Sequence, residues 1–163
     1  MNSILILTTG GTIDKVYFDA KSEYEVGDPQ IGDVLRLAHV NVDYEIVPLF
    51  RKDSLEMTQK EREEIKSHIE QSSAKRILVT HGTDTMADTG RFLESIKGKT
   101  IVLTGALLPA RFRDNDAIFN IGFAMAAVQS LDEGTYICMN GKIFDPNCVK
   151  KDRDANQFVE INT

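Results

Sequence analysis

Short apolar runs recur along the chain, and segments with helical spacing separate most of them. The runs read ILIL, YEIVPLF, RILVT, TIVLT and TYICM. Runs of this length are typical of buried strands, and strands that alternate with helices form mostly parallel sheets. The sequence therefore predicts an open, twisted α/β sheet with helices on both faces, of the Rossmann or flavodoxin-like type.

The segments between the strands are expected to be amphipathic helices. Two of them place suitable residues at the i, i+3, i+4, i+7 spacing of a helix; they are Ile31, Val34, Leu35 and Ala38, and Thr89, Phe92, Leu93 and Ile96. Thr58 followed by Glu61 has the spacing of a capping box, so a third helix is expected to begin there. The stretch 117–128 is apolar nearly all round, which favours a helix covered on several sides over one used in a subunit contact.

Two further segments are expected to be irregular or hairpin-like. Asn140 and Gly141 lie between two apolar runs, which predicts a C-terminal hairpin. The segment 14–30 is polar, contains several aromatic residues and lacks helical periodicity, so it is expected to be a long functional loop or a loose hairpin. No repeat or linker interrupts the chain, and 163 residues fit a single domain, 1–163.

Charge and cysteine usage exclude several classes of function. A formal net charge of -6 argues against a surface that binds polyanions, so no nucleic-acid partner is expected. The first apolar stretch is too short for a signal peptide, and no run approaches the length of a membrane span. A cytoplasmic protein without a membrane partner is therefore expected. Cys138 and Cys148 form no CxxC pattern, so both are expected to be reduced and structural.

Two of the expected strands end in a Gly-Thr turn. The turns read TTGGTI and VTHGTDTM, and they contain Thr12 and Thr83. Ligands of open parallel sheets bind beyond the carboxyl ends of the strands, so both threonines lie where chemistry is expected. The patterns GxxxxGK[ST] and GxGxxG are absent, which excludes the usual nucleotide loops. Taken alone, the first turn is best interpreted as a structural Gly-rich turn.

The second turn leaves two alternatives open. Asp84 follows Thr83 at the expected start of a helix that runs to Ile96, so either residue could serve only as the helix N-cap. His81, Asp84 and Asp88 are too weak a pattern for a metal site, and a turn histidine usually bonds its neighbours. We predict no metal and no cofactor.

Together, the two turns resemble the signature segments of the bacterial-type L-asparaginase and glutaminase amidohydrolases. The similarity extends to SEYEVG with Tyr24, to DSLEM with Ser54, to LTGALLP, to DAIFN and to FDPNCVKK with Lys151. In DAIFN, Ala117 stands where the family has glycine. The resemblance covers nearly the whole chain but only the larger N-terminal domain of the family, and the smaller C-terminal domain is absent from the chain.

The resemblance implies hydrolysis of L-asparagine to L-aspartate and ammonia through a threonyl-acyl intermediate, and it leaves some glutaminase activity open. Thr12 would be the nucleophile and Tyr24, on a mobile loop, would activate it. Thr83, Asp84 and Lys151 would form a hydrogen-bonded proton relay. A relay of this kind is needed because an unassisted threonine hydroxyl is a weak nucleophile at neutral pH.

The resemblance also implies where the substrate binds. Ser54 and backbone amides would bind the α-carboxylate, and Asp84 would bind the α-ammonium group. Backbone N–H groups near Gly11 and Thr83 would face the oxyanion. Leu55 stands where many relatives have a glutamine that contacts the amine, so ammonium recognition is expected to be weaker or rebuilt. The complete set of implied binding residues is Gly11, Ser54, Leu55, Gly82, Thr83, Asp84 and Ala106.

Full-length relatives complete their site from a neighbouring subunit, so a homo-oligomer, either a dimer or a tetramer, is expected. Glu23, Glu56 and the region 111–113 are candidate contributors from a partner chain. A catalytically silent amino-acid sensor or a partner-dependent subunit is the alternative, because the C-terminal domain is absent. An amidotransferase that feeds ammonia to a charged tRNA is a third possibility, which the acidic balance opposes.

Overall fold

A computed structural model describes residues 2–162, and its central feature is a six-stranded sheet. Its strands are β1 (Ile4–Gly10), β4 (Tyr44–Lys52), β5 (Arg76–Thr80), β6 (Thr100–Thr104), β7 (Gly134–Met139) and β8 (Lys142–Phe144). Strands β4, β1, β5, β6 and β7 are mutually parallel in that spatial order, and β8 adds antiparallel to β7. The predicted mostly parallel α/β sheet is confirmed.

Four helices cover the two faces of the sheet; they are α1 (Ile31–Leu37), α2 (Gln59–Gln71), α3 (Met86–Leu93) and α4 (Ala117–Ser130). Helices α1 and α4 bury residues such as Leu35 and Ile121 in one core. Helices α2 and α3 bury Ile65 and Leu93 in a second core on the opposite face. Strands of the sheet contribute to both cores, because successive side chains of a strand point to opposite faces.

The helix starts and ends show which local signals were reliable. The Thr58 hydroxyl accepts a hydrogen bond from the Glu61 N–H, and the Glu61 carboxylate accepts one from the Thr58 N–H, so the capping box is confirmed. The expected helix up to Ile96 is wrong, because α3 ends at Leu93. Ile96 instead donates its N–H to the Leu93 carbonyl in a turn that leads back into β6.

Helix α4 is only partly buried. Ala117 and Ile121 lie in the core with no exposed surface, whereas Ile118 and Phe119 are 59% and 62% exposed. The apolar composition therefore predicted the helix correctly but not its coverage on several sides. Phe119 stacks on Phe123, with ring centroids 6.3 Å apart, along the outer face of the helix.

Three hairpins complete the set of strands. Asn140 and Gly141 have φ angles of 53° and 71° between β7 and β8, the conformation that a tight hairpin needs, so the predicted C-terminal hairpin is confirmed. The segment 14–30 contains the hairpin of β2 (Lys15–Phe18) and β3 (Glu23–Val26). A second ribbon, β9 (Val149–Asp152) with β10 (Gln157–Glu160), was not expected from the sequence.

The order of the parallel strands locates the functional edge of the sheet. The chain leaves β1, adds β4 on one side, and then crosses to the other side to form β5. The five parallel strands therefore have the flavodoxin-like order 2-1-3-4-5, and the topological switch point lies between β1 and β5. Connections leave these two strands in opposite directions, which opens a crevice at their carboxyl ends.

Two further expectations from the sequence concern the two cysteines and membrane-spanning segments. Cys138 and Cys148 are both free thiols, and burial raises the pKa of Cys138 to about 12, as suits an inert structural residue. Within residues 2–162, none of the helices has the length and apolar character needed to cross a bilayer. The cytoplasmic location stays a prediction.

Candidate active site

Two glycines allow the turn after β1 to approach the turn after β5. Gly10 and Gly11 have φ angles of 99° and 88°, which glycine adopts far more readily than other residues. A β-carbon on Gly10 would lie 2.5 Å from the Lys52 nitrogen, and one on Gly11 would lie 2.6 Å from the Gly82 Cα. Both the backbone conformation and the close packing therefore require the pair of glycines, and they bring Gly11, the residue before Thr12, against the second turn.

A cluster of charged and hydroxyl groups lies at the second turn. The Lys151 ammonium donates hydrogen bonds to Thr83 Oγ1 at 2.8 Å and to Asp84 Oδ1 at 3.1 Å. Arg153 donates to the same Asp84 oxygen at 2.9 Å. Thr83 is buried, and the side chains of Lys151 and Asp84 are only 18% and 21% exposed. The structure thus joins three of the predicted catalytic residues, the adjacent Thr83 and Asp84 and the distant Lys151.

The β9–β10 ribbon positions Lys151. Val149 and Phe158 are buried in the same core as α2 and α3. Lys151 shares the inward face of β9 with Val149, because side chains alternate along a strand, and it pairs directly with Phe158 across the ribbon. Lys150 is exposed on the other face. Burial of the two apolar residues therefore directs the ammonium group toward Thr83.

Neither Thr83 nor Asp84 is the N-cap residue of α3. The N-cap of α3 is Thr85, and it makes no side-chain capping hydrogen bond. The Thr85 hydroxyl instead donates to the Ser54 carbonyl at 2.9 Å. The interpretation of Thr83 or Asp84 as an N-cap is therefore wrong, and both side chains are committed to the Lys151 cluster.

Ser54 is brought to the same place by the turn that follows β4. Its hydroxyl accepts a hydrogen bond from the Thr85 N–H at 3.2 Å, and it lies 2.7 Å from the position that a β-carbon on Gly82 would occupy. Ser54 is 1% exposed, whereas the next side chain, Leu55, is 64% exposed. Ser54 therefore adjoins the crevice, and the Leu55 side chain extends into solvent.

The turn after β6 forms a further wall. A β-carbon on Gly105 would lie 2.3 Å from the His81 carbonyl oxygen, so the two turns are in contact. The Asp116 carboxylate accepts hydrogen bonds from the Leu107 N–H, at 2.9 Å for the shorter of two, and from Asn120. The DAIFN segment thus stabilises this turn. The side chain of Ala106 packs in the core, so only its backbone is available to a ligand.

Thr12 and Tyr24 are less closely tied to the cluster. Thr12 is partly buried and begins a 3-10 turn, Thr12–Asp14, that leads into β2. Tyr24 is 50% exposed on β3, with its ring 5.3 Å from Tyr17 and 5.7 Å from Phe112. The structure therefore brings the backbone of the first turn to the cluster but holds Tyr24 in an aromatic group on the hairpin.

Asp14, which the sequence did not single out, anchors that hairpin. Its carbonyl accepts from the Gly27 N–H at 2.8 Å and its carboxylate from the Gln30 N–H at 2.9 Å, so both ends of the hairpin meet at one residue. Burial raises the pKa of Asp14 to about 7, against the opposing effect of the Gln30 hydrogen bond and of Arg111 and Arg51. The charge of this anchor therefore changes near neutral pH.

His81 is fully buried and hydrogen-bonded to its neighbours. Its Nδ1 lies 2.7 Å from the Gly82 carbonyl oxygen, and its Nε2 lies 2.8 Å from the Thr89 hydroxyl. Burial lowers the pKa of His81 to about 4, so the ring is neutral at physiological pH. In the described part of the chain, 2–162, no group of His, Cys, Asp and Glu side chains has an arrangement suited to a metal ion.

A comparison with known families identifies the fold. The model of the asparaginase N-terminal domain matches residues 3–160. The chain belongs to the asparaginase family. The resemblance in the Gly-Thr turns is thereby confirmed.

Individual relatives agree with this assignment. The L-asparaginase of Bacillus licheniformis is 29% identical over 164 residues, which cover 94% of this chain and 51% of the relative. A glutamyl-tRNA(Gln) amidotransferase polypeptide of Methanococcus vannielii is 38% identical over 88 residues, or 53% of this chain and 20% of the relative. The thermostable L-asparaginase of Thermococcus kodakarensis superposes with a TM-score of 0.84 at 26% identity, covering 99% of this chain and 52% of that one. The chain therefore spans about half the length of the Bacillus licheniformis L-asparaginase.

Proposed function

We propose that this member of the asparaginase family hydrolyses L-asparagine to L-aspartate and ammonia without a cofactor. The observation that carries the proposal is the convergence of two turns: Gly11 packs against Gly82, and Lys151 bonds Thr83 and Asp84 beside that contact. The proposed nucleophile, proton relay and backbone donors would therefore share one switch-point crevice. Two of the similar proteins named above, from Bacillus licheniformis and Thermococcus kodakarensis, are L-asparaginases.

The proposed reaction has two balanced steps. Thr12 Oγ1 attacks the side-chain amide carbon and its proton passes to Thr83. Thr83 passes its own proton to Lys151 as Lys151 gives one to the Asp84 carboxylate, because an ammonium cannot hold a further proton. The same relay then returns a proton to the leaving ammonia. The product of this step is a threonyl ester. Water then attacks the ester carbon, its proton passes to the same relay, and Thr12 recovers its proton as L-aspartate leaves. Tyr24 would assist the first proton transfer when the hairpin moves toward Thr12.

Backbone donors would stabilise the oxyanion of both steps. The Gly11 N–H already donates to the Lys52 carbonyl at 2.8 Å, so the donor from the first turn would be the N–H of Thr12, the next residue. The N–H of Thr83 would be a second donor from the opposite turn. Loss of one such donor typically raises the barrier by about 2.7–4 kcal/mol.

Substrate recognition would use Ser54 and Asp84. Because the Ser54 hydroxyl already accepts from the Thr85 N–H, its own proton is available to the substrate α-carboxylate. Asp84 would bind the α-ammonium group, but Lys151 and Arg153 already donate to one of its oxygens. The exposed Leu55 offers no polar group. We therefore propose weak ammonium recognition, with some glutaminase activity.

A homo-oligomer, either a dimer or a tetramer, would supply the missing contacts. Glu23 and Glu56 are exposed acidic residues near the hairpin and the Ser54 turn, and they are candidate contributors to a neighbouring site. We propose residues 1–163 as one catalytic unit of the N-terminal type. Sedimentation of the purified chain, with and without aspartate, would measure the oligomeric state.

The decisive experiment measures ammonia release from millimolar L-asparagine and L-glutamine by the folded protein. We expect release from L-asparagine, and we expect Thr12→Ala to abolish it. Thr8→Ser is the matched control, because the buried Thr8 hydroxyl has no hydrogen-bond partner within the described part of the chain. Added hydroxylamine should divert the acyl intermediate to L-aspartate β-hydroxamate. A folded protein that releases no ammonia from either amide, or an active Thr12→Ala variant, would refute the proposal.

A second candidate is the ammonia-supplying component of a tRNA-dependent amidotransferase. It is favoured by the 38% identity to the Methanococcus vannielii polypeptide, although the net charge of -6 opposes binding of a polyanion. Tight, salt-sensitive binding of tRNA would support it. A silent amino-acid sensor would instead show saturable aspartate binding in calorimetry with no ammonia release.

A further inference from the structure

A chain of buried hydrogen bonds connects α2 to the turn that carries Thr83. Arg62, on α2, donates its Nε proton to the Thr89 hydroxyl on α3 at 2.9 Å. The Thr89 hydroxyl lies 2.8 Å from His81 Nε2, and His81 Nδ1 lies 2.7 Å from the Gly82 carbonyl oxygen. His81 and Thr89 both have 0% exposure. None of these side chains belongs to the proposed reaction.

The direction of each hydrogen bond follows from chemistry. A carbonyl oxygen only accepts, so the Gly82 oxygen requires a proton on His81 Nδ1. A neutral imidazole carries one ring proton, so His81 Nε2 is an acceptor and the Thr89 hydroxyl is its donor. The Thr89 oxygen in turn accepts from Arg62. A neutral His81 ring protonated on Nδ1 is therefore compatible with all three hydrogen bonds.

The last bond in this chain orients a peptide group at the active site. The Gly82 carbonyl and the Thr83 N–H belong to one planar unit, and none of the peptide bonds within residues 2–162 is cis. In a trans peptide these two groups point in opposite directions. A Gly82 carbonyl held toward the buried His81 ring therefore directs the Thr83 N–H away from the ring. The side chain of the same residue accepts from Lys151.

Close packing leaves the turn few other ways to keep this orientation. Gly82 packs against both Gly11 and Ser54. A β-carbon on Gly11 would lie 2.6 Å from the Gly82 Cα, and a β-carbon on Gly82 would lie 2.7 Å from the Ser54 hydroxyl oxygen. Glycine has no side chain that could resist a flip of the peptide. A donor fixed to the Gly82 carbonyl is therefore the direct restraint on the direction of the Thr83 N–H.

We propose that Arg62, Thr89 and His81 are positioning residues that aim the Thr83 N–H at the oxyanion of the reaction. This inference rests on the proposed amidohydrolase function and deepens it. The histidine does not exchange protons with substrate. It acts through the Gly82–Thr83 peptide, and Arg62 and Thr89 select the tautomer that lets it do so.

The test compares His81→Asn with His81→Leu. The two replacement side chains have similar shapes, and the asparagine amide nitrogen can take the place of Nδ1 as a donor to the Gly82 carbonyl. We expect His81→Leu to lower kcat by about 10- to 100-fold with KM changed less, because the oxyanion donor is misaligned. His81→Asn should recover most of kcat. A folded His81→Leu variant with wild-type kcat, or equal losses in both variants, would overturn the inference.

A second pair keeps the inference testable if His81→Leu does not fold. Thr89→Val removes the hydroxyl, Thr89→Ser keeps it, and Thr135→Val is the control because the buried Thr135 hydroxyl has no partner among the described residues. We expect kcat to fall only in Thr89→Val, and equal kcat in the valine and serine variants at position 89 would refute the inference.

Nitrogen-15 NMR of the wild type should show a neutral His81 protonated on Nδ1, whether or not the protein is active. An inactive wild type with this tautomer would refute the proposed function alone, and the opposite tautomer would refute the positioning role.

Discussion

The two segments that border the crevice are built in opposite ways. The turn 81–85 is mostly buried, and hydrogen bonds with Thr89 on α3, the Ser54 turn and the β9–β10 ribbon hold it in place. The hairpin of β2 and β3 is exposed at its tip, and the Asp14 contacts anchor it at its base. The first segment carries Thr83 and Asp84 of the proposed relay, and the second carries Tyr24.

This difference indicates a division of labour. Groups that must keep a geometry within fractions of an ångström lie in the rigid segment, where packing and hydrogen bonds restrict their motion. Tyr24, which is half exposed, lies on the segment with few buried contacts. We therefore propose that the hairpin moves over the crevice while the turn 81–85 stays fixed.

The largest effect is expected from breaking the rigid segment at Lys151. Lys151→Met should lower kcat for L-asparagine by at least about 10³-fold, because it removes the group that links Thr83 and Asp84. Lys150→Met is the control, since Lys150 is exposed on the opposite face of β9. Steady-state kinetics measures both variants. Equal activities would show that the cluster is only a structural ion pair.

A smaller loss of kcat is expected from changing Tyr24 on the β2–β3 hairpin. Tyr24→Phe should lower kcat by about 10²-fold, because the hydroxyl that would assist Thr12 is lost while the ring keeps its contacts with Tyr17 and Phe112. Tyr17→Phe is the matched control on the facing strand and should change kcat little. Hydrogen exchange should be faster in the hairpin than in the turn 81–85, and it should slow in the hairpin when aspartate binds. If Tyr17→Phe lost as much activity as Tyr24→Phe, the assignment of Tyr24 would be wrong.

The two segments should also respond to pH in opposite senses. The folded-state pKa of His81 is lowered to about 4 by burial, so its contribution to the free energy of unfolding is full above about pH 6.5 and is lost as pH falls to about 4. The loss is about 3 kcal/mol. The pKa of Asp14 is raised to about 7, so its contribution is full below about pH 4 and is lost as pH rises to about 7.

Denaturant unfolding between pH 4 and 7 separates these contributions. Asp14→Asn keeps the acceptor for the Gln30 N–H but cannot ionise, so the variant should gain stability relative to wild type as pH rises. His81→Asn should lose the decline in stability that His81 causes at low pH. A wild-type pH dependence that neither variant alters would show that neither buried group titrates as described.

The smallest effect is expected at the exposed edge of the cluster. Arg153 is 69% exposed and shares the Asp84 carboxylate with Lys151. Arg153→Gln should leave kcat nearly unchanged and lower KM for L-asparagine by about 2- to 5-fold, because an exposed ion pair is worth at most about 1 kcal/mol. The KM for succinamate, which lacks the α-amine, should not fall. A parallel fall for both substrates would show that Arg153 does not compete with the ammonium group.

Local sequence signals were sufficient for most elements of this fold. The apolar runs predicted every parallel strand, the capping box predicted the start of α2, and Asn140-Gly141 predicted the hairpin between β7 and β8. These signals work because strand alternation, helix periodicity and tight-turn conformations depend on residues only a few positions apart. They failed at the end of α3, where the return of the chain into β6 overrides the helical spacing of Ile96.

The chemistry of the individual side chains was also readable from the chain, because the Gly-Thr turns carry a family resemblance. The resemblance also implied the cluster of Thr83, Asp84 and Lys151, but the sequence did not show which packing holds the cluster together. Lys151 meets Thr83 across 68 positions because the unexpected β9–β10 ribbon buries Val149 and Phe158. Arg62 reaches His81 only through Thr89, once two helices pack on one face of the sheet. Contacts between distant segments depend on how whole elements pack and on loop closure, and no local pattern records either.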